Sequence, residues 1–244
     1  KVTGVQTCAL PILVEIATGS VIPAWGMPGL SMLMAVAFLL LLPAVRGLAP
    51  SPAELPVQAA GPGGNTLHLA SLAGLVAVLV YFIGQTMIWA FLMRAGSAAG
   101  FPAESTGRVI AIVLVASGFA ALIPGMLGNR LGNAVPLVCG TVAFLASMWL
   151  LARGDSIEAF AVAVMVQSSA WNFTVPYQLA AIASRDTRGT YASQIPACQA
   201  IGGVLGPAAG GLLVTGGDFG NMLLLAGITS VLSLLLLLGL LLPR

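Results

Sequence analysis

Charge is the scarcest property of this chain. Nine Lys or Arg and seven Asp or Glu stand among 244 residues, 7% of the total, where an ordinary soluble domain carries about a quarter. That scarcity excludes a soluble globular domain. A formal net charge of +2, carried by scattered arginines, gives no basic surface for nucleic acid. Histidine occurs once, as His68, and cysteine three times, as Cys8, Cys139 and Cys198, with no C-x-x-C spacing. A membrane-embedded enzyme would need a nucleophile and base or a metal cluster, so no catalytic residue, metal or cofactor is expected. The long apolar runs also lack carboxylates, and with them the titratable intramembrane group that proton coupling usually uses.

What fills the chain instead is apolar. Its residues are 59% hydrophobic and its mean hydropathy is +1.04, and a bilayer-crossing helix needs about 20 such residues in a row. The runs predict an all-α integral membrane protein of about seven spans. The first lies near Ala24–Ala44, after the tail of an earlier helix at Leu13–Ala17. The others run near Leu67–Met93, Val109–Met126, Val135–Ala152, Ala159–Ala183, Ala192–Leu213 and Met222–Leu242. Residues 46–66, with Pro50, Pro52, Pro56 and Gly61-Pro62-Gly63-Gly64, read as a linker between residues 13–45 and a six-helix bundle at 67–244. Val2–Ile12 matches, codon for codon, a translated sequencing-library adapter, so residues 1–12 are set aside as a probable artefact. The natural protein is expected to begin upstream of this record.

The turn Gly125-Met126-Leu127-Gly128-Asn129-Arg130-Leu131-Gly132-Asn133 anchors the topology. Its glycines and asparagines tolerate positive backbone dihedrals, and Arg130 has to lie at a water-facing end because burying it in hydrocarbon is expensive. Alternating the spans from there puts Arg46, Arg130, Arg185, Arg188 and Arg244 on one side and Arg94, Arg108 and Arg153 on the other. The positive-inside rule makes the first side cytoplasmic. Arg185, Asp186 and Arg188 read as charge anchoring rather than as a gating network.

Polar residues are unevenly spread. The first and seventh spans are nearly pure aliphatic. The second carries Tyr81, Gln85 and Trp89, four apart and so on one helix face. The fifth carries Gln167, Ser168, Trp171, Asn172, Thr174 and Gln178, and Gln194 and Gln199 stand at the start of the sixth. Polar groups in a bilayer point at protein or at a water-filled cavity. The set therefore predicts a substrate cavity lined by Tyr81, Gln85, Trp89, Gln167, Trp171, Asn172, Gln178 and Gln199; the alternative is interhelical packing glue. On the sixth span Gly202, Gly206 and Gly210, with Pro207, predict either a bending helix or tight static packing.

The chain resembles the C-terminal part of a major facilitator superfamily transporter. Gly125-Met126-Leu127-Gly128-Asn129-Arg130-Leu131-Gly132-Asn133 is similar to that family's G-x-L-a-D-r-x-G-r loop, with Asn129 in place of aspartate and Asn133 in place of a basic residue. Gly202-x-x-x-Gly206-Pro207-x-x-Gly210-Gly211 is similar to the family's g-x-x-x-G-P-x-x-G-G exporter pattern, displaced to the equivalent eleventh helix. The resemblance implies that residues 13–45 are the end of an N-terminal half whose remainder is missing. It implies that Gly125, Gly128, Asn129, Arg130, Gly132, Gly202, Gly206, Pro207 and Gly210 serve conformational change, and that the second and fifth spans line the cavity. The expected function is secondary active transport of a small neutral or amphipathic solute by alternating access, as efflux across a bacterial inner (plasma) membrane. The expected partners are that solute, the lipid bilayer and the missing half. A non-transporting receptor or scaffold with the same fold is the alternative, ahead of a membrane-embedded enzyme.

Overall fold

The computed structural model describes residues 69–128, 130–186 and 189–241, together with Met32 and Val36, which are helical. The chain divides into two units, residues 1–65 and 66–244, and all other described residues belong to the second. The expected helix at 13–17 and linker at 46–66 lie outside the described residues, as do Asn129, Arg188 and all of the expected span at 24–44 except Met32 and Val36.

The second unit is helical throughout its spans. Its helices are α1 (Leu69–Ala98), α2 (Ala103–Ala120), α3 (Leu122–Leu127), α4 (Ala134–Arg153), α5 (Ile157–Ala183), α6 (Ile195–Leu213) and α7 (Gly220–Leu241), with a 3-10 turn at Ala192–Gln194 before α6. α2 and α3 form one span interrupted at Ala121. Pro124 causes the break: it has no N–H for the Ala120 carbonyl and its ring crowds that carbonyl. Five segments are long and apolar enough to cross a membrane: Ser71–Ala98, Ala103–Leu127, Ala134–Arg153, Ala192–Leu213 and Gly220–Leu241. α5 is as long, at 27 residues, but Gln167, Asn172 and Gln178 lower its hydropathy below that of the other five. It packs against α1, α2, α4 and α7, which gives its polar side chains protein to point at.

α1 is the axis of the bundle, and small residues bring its neighbours in. α6 lies along it through Gly202, Gly206 and Gly210. A methyl at Gly202 would come within 2.7 Å of Phe82 Cβ, and one at Gly206 within 2.6 Å of the Ile83 carbonyl and 2.8 Å of the Met87 nitrogen. Thr86 Oγ1 completes the seam, its single proton lying within reach of the Phe82 carbonyl at 2.7 Å and, across the seam, of the Gly202 carbonyl at 3.0 Å. The stripe is a site of close packing between α1 and α6 in this structure. α7 docks on the opposite side, where Thr229 and Ala226 occupy the space beside Gly84.

Two apolar clusters fill the interior. One, toward the Arg94 end, joins Met87, Ile88, Phe91, Val113, Phe144 and Met148. The other, toward the Arg130 end, joins Leu75, Val78, Leu137, Tyr177, Ile182 and Leu237. The Gly125–Asn133 turn differs from expectation in detail. Gly128 (φ 55°) and Gly132 (φ 63°) take the left-handed region, but Gly125 is inside α3 and Asn133 has a helical backbone. Arg130 is exposed.

Candidate functional site

The polar residues of α1 and α5 meet between the two apolar clusters, near mid-span. Gln85 is 14 residues from Ser71 and 13 from Ala98, which puts it about 20 Å from either end of the apolar span Ser71–Ala98. Gln167 Nε2 donates to Gln85 Oε1 at 2.9 Å, and Ser168 Oγ donates to Gln167 Oε1 at 3.1 Å. Both glutamines are sealed from solvent, at 1% and 0% exposure. Tyr81, one turn from Gln85, is buried beside Thr174 and Gln85. Thr174 occupies the space beside Gly140 of α4, so three helices converge on it. Gln85 and Thr174 both lie within hydrogen-bonding reach of the Tyr81 hydroxyl.

The remaining expected residues surround this seam without all joining it. Trp171 stands edge-on to Phe82 of α1, ring centroids 5.7 Å apart. Asn172 turns the other way, toward α2, donating from Nδ2 to the Ser117 carbonyl at 3.3 Å and to its Oγ at 3.5 Å. Gln178 is buried nearer the Arg130 end. Trp89 packs against the apolar cluster of the Arg94 end. Gln199 is half-buried on α6, and Gln194 is exposed in the 3-10 turn, so Gln194 is apart from the seam.

Several participants carried no signal in the sequence. Ser117 was a lone serine in an apolar run. Thr229, Ser230 and Ser233 are all buried, which corrects the view of the last helix as nearly pure aliphatic: its polar edge faces the bundle. Pro176, inside α5, leaves the Asn172 carbonyl without its usual helical donor, a backbone acceptor beside the seam that the proline's position could have disclosed. Asp186 Oδ2 accepts from the Tyr191 and Ala192 backbone N–H groups at 2.8 and 2.7 Å, tying down the turn that starts α6. Arg185 donates to the Leu241 carbonyl at the end of α7, at 3.4 Å.

A hollow of about 280 Å³ opens elsewhere, between the Arg94-end tips of α1, α4 and α7. Ile88, Phe91, Leu92, Leu151, Phe219 and Met222 line it, with Asp218. Among the described residues no group of three or more His, Cys, Asp or Glu side chains is placed to hold a metal.

The chain is 25% identical over 165 residues to an MFS-type transporter of Gibberella moniliformis (strain M3125 / FGSC 7600), an alignment covering 65% of this chain and 39% of that protein. The chain thus spans well under half the length of this relative. No protein-family model matches the chain, and no solved structure matches it. Five membrane-length apolar helices and this distant likeness support a membrane protein similar to MFS-type transporters. The relative is fungal, so the expected bacterial inner membrane draws nothing from it.

Proposed function

We propose that this chain is the C-terminal part of a secondary active transporter that moves a small neutral or amphipathic solute, outward, by alternating access. The observation that carries the reading is the Gln85–Gln167 seam at mid-span, an amide pair bonded at 2.9 Å between α1 and α5. Amides, hydroxyls and the Trp171 ring suit an uncharged solute with hydrogen-bond acceptors and an apolar body. Among the described residues, every Asp and Glu lies at or beyond the end of a helix, which supports the same preference. α5 is then a sixth span, and the Arg130 end is cytoplasmic. On this reading the chain itself carries no catalysis and no cofactor, and it works with the rest of a longer protein.

The direct bond between Gln85 and Gln167 favours a second reading, in which the pair is a cross-brace of a non-transporting receptor or scaffold. One experiment separates the two. The protein from the complete gene is reconstituted in proteoliposomes and assayed for flux of a panel of uncharged amphipathic dyes, with and without Gln85→Leu/Gln167→Leu. The carrier reading expects saturable flux that the double substitution abolishes while the thermal midpoint changes little. The brace reading expects no flux from either protein.

A further inference from the structure

The hollow at the Arg94-end tips of α1, α4 and α7 has two unlike ends. Along α1 its wall runs from Ile88 to Ala98, about 15 Å of helix. The deep end is sealed and apolar: Ile88, Leu92 and Met222 are 1%, 2% and 2% exposed. The shallow end is open, where Ala98, Ala152 and Gly217 are exposed. The volume of about 280 Å³ stands just below the range of about 300–1,000 Å³ for small-molecule sites. That length with so little volume suits one narrow chain rather than a broad ring system. Neither Gln85 nor Gln167 lines the hollow, so it is a place apart from the glutamine seam.

Charge enters the lining at one position. Among the lining residues only Asp218 is ionisable, and it is exposed. The local sequence fixes where it stands. Gly216 and Gly217 take positive φ, 60° and 89°, which closes a tight turn in which the Asp218 N–H donates to the Thr215 carbonyl at 2.9 Å. Asp218 Oδ1 then accepts from the Gly220 N–H at 2.8 Å, at the start of α7. Oδ2 is left for another partner, and among the described residues no Lys or Arg pairs with this carboxylate. Arg94 lies over the Phe91 ring at 5.2 Å and Arg153 over the Trp149 ring at 4.1 Å, and neither arginine lines the hollow.

We propose that this hollow binds a single-chain amphiphile with a cationic head, an alkylammonium. The chain lies between α1, α4 and α7, where burying each methylene is favourable. The ammonium stays at the open mouth beside Asp218, so it is never fully stripped of water. A charge pair about 4 Å apart in water changes binding about fivefold. The apolar wall therefore supplies most of the affinity, and Asp218 chooses the head. The site stands whether or not the protein carries a solute through its centre.

Thiol protection tests this on the full-length protein in nanodiscs, on a background without native cysteines. Ala98→Cys places a thiol in the lining, and Ser97→Cys places one beside it in the chain but outside the lining. Both positions are exposed. A neutral maleimide reports their labelling rates as decylamine, decanol or decyl sulfate is added. Decylamine is expected to protect Ala98→Cys and not Ser97→Cys, with half-protection at a concentration about fivefold lower than for decanol, and decyl sulfate is expected to protect least. Asp218→Asn removes the charge but keeps an oxygen for the Gly220 N–H, and it is expected to erase the preference of decylamine over decanol while leaving protection by decanol in place. No protection of Ala98→Cys, equal protection by all three amphiphiles, or a preference for decylamine that survives Asp218→Asn would overturn the proposal.

Discussion

Replacing Gly206 by alanine puts the α1–α6 seam under direct test. The new methyl would overlap Thr86 Oγ1 and lie 2.6 Å from the Ile83 carbonyl and 2.8 Å from the Met87 nitrogen. Two of those three neighbours are backbone atoms of a helix, which cannot rotate away. Overpacking of this kind costs about 1–3 kcal/mol. Pushing the helices apart also lengthens the Thr86–Gly202 bond, now 3.0 Å, and an interhelical bond in a membrane contributes about 0.6 kcal/mol on average. The expected loss is thus about 2–4 kcal/mol, or roughly 30-fold or more in the unfolding equilibrium at 1.4 kcal/mol per decade. Gly203 is the control: a methyl there meets nothing within 4 Å, and Gly203→Ala should be neutral or slightly stabilising through helix propensity. The assay is equilibrium unfolding of the purified full-length protein in mixed micelles with increasing SDS. Equal midpoints for Gly206→Ala and Gly203→Ala would refute the seam.

Three further outcomes follow from contacts already described. Gln85→Leu or Gln167→Leu alone leaves a buried amide unpaired and should destabilise by about 1–3 kcal/mol, while the double substitution should cost less than the sum; a double-mutant cycle on SDS midpoints checks this. Gly140→Ala drives a methyl into Thr174 Oγ1 and should cost about 1–3 kcal/mol, most of it recovered with Thr174→Ala added. Asp186→Ala removes the acceptor of two backbone N–H groups and should cost about 1–3 kcal/mol, whereas Asp186→Asn keeps an acceptor and should cost less; equal effects in thermal unfolding would restore a charge-based role.

Five of the expected spans coincide with membrane-length apolar helices among the described residues, because hydrophobic run length reports directly on bilayer thickness. The errors have physical causes. α1 continues past Met93 to Ala98 because Arg94 lies over the Phe91 ring at 5.2 Å and keeps its charge at the surface, so a charge did not end the helix. α2 starts at Ala103 rather than Val109 because Glu104 and Arg108, bridged at 2.7 Å, make a polar first turn that a hydropathy count reads as loop. The pairing of Gln85 with Gln167 was legible as a shared tendency, polar faces on two helices, but not as a bond, since spacing within a helix does not say which neighbour it meets. Asn172 follows Trp171 directly, and a step of about 100° around the helix sends it to α2. Ser230 and Ser233 were hidden by the leucines around them, of which Leu232 and Leu235 are exposed.

The most direct measurement is solute flux in proteoliposomes containing the complete protein, wild type against Gln85→Ala/Asn172→Ala. The two substitutions remove Gln85 of α1, the partner of Gln167 on α5, and Asn172 of α5, the partner of Ser117 on α2. The account predicts that the double variant folds, inserts and no longer carries solute. Flux surviving at the wild-type rate would contradict a transport role for these side chains.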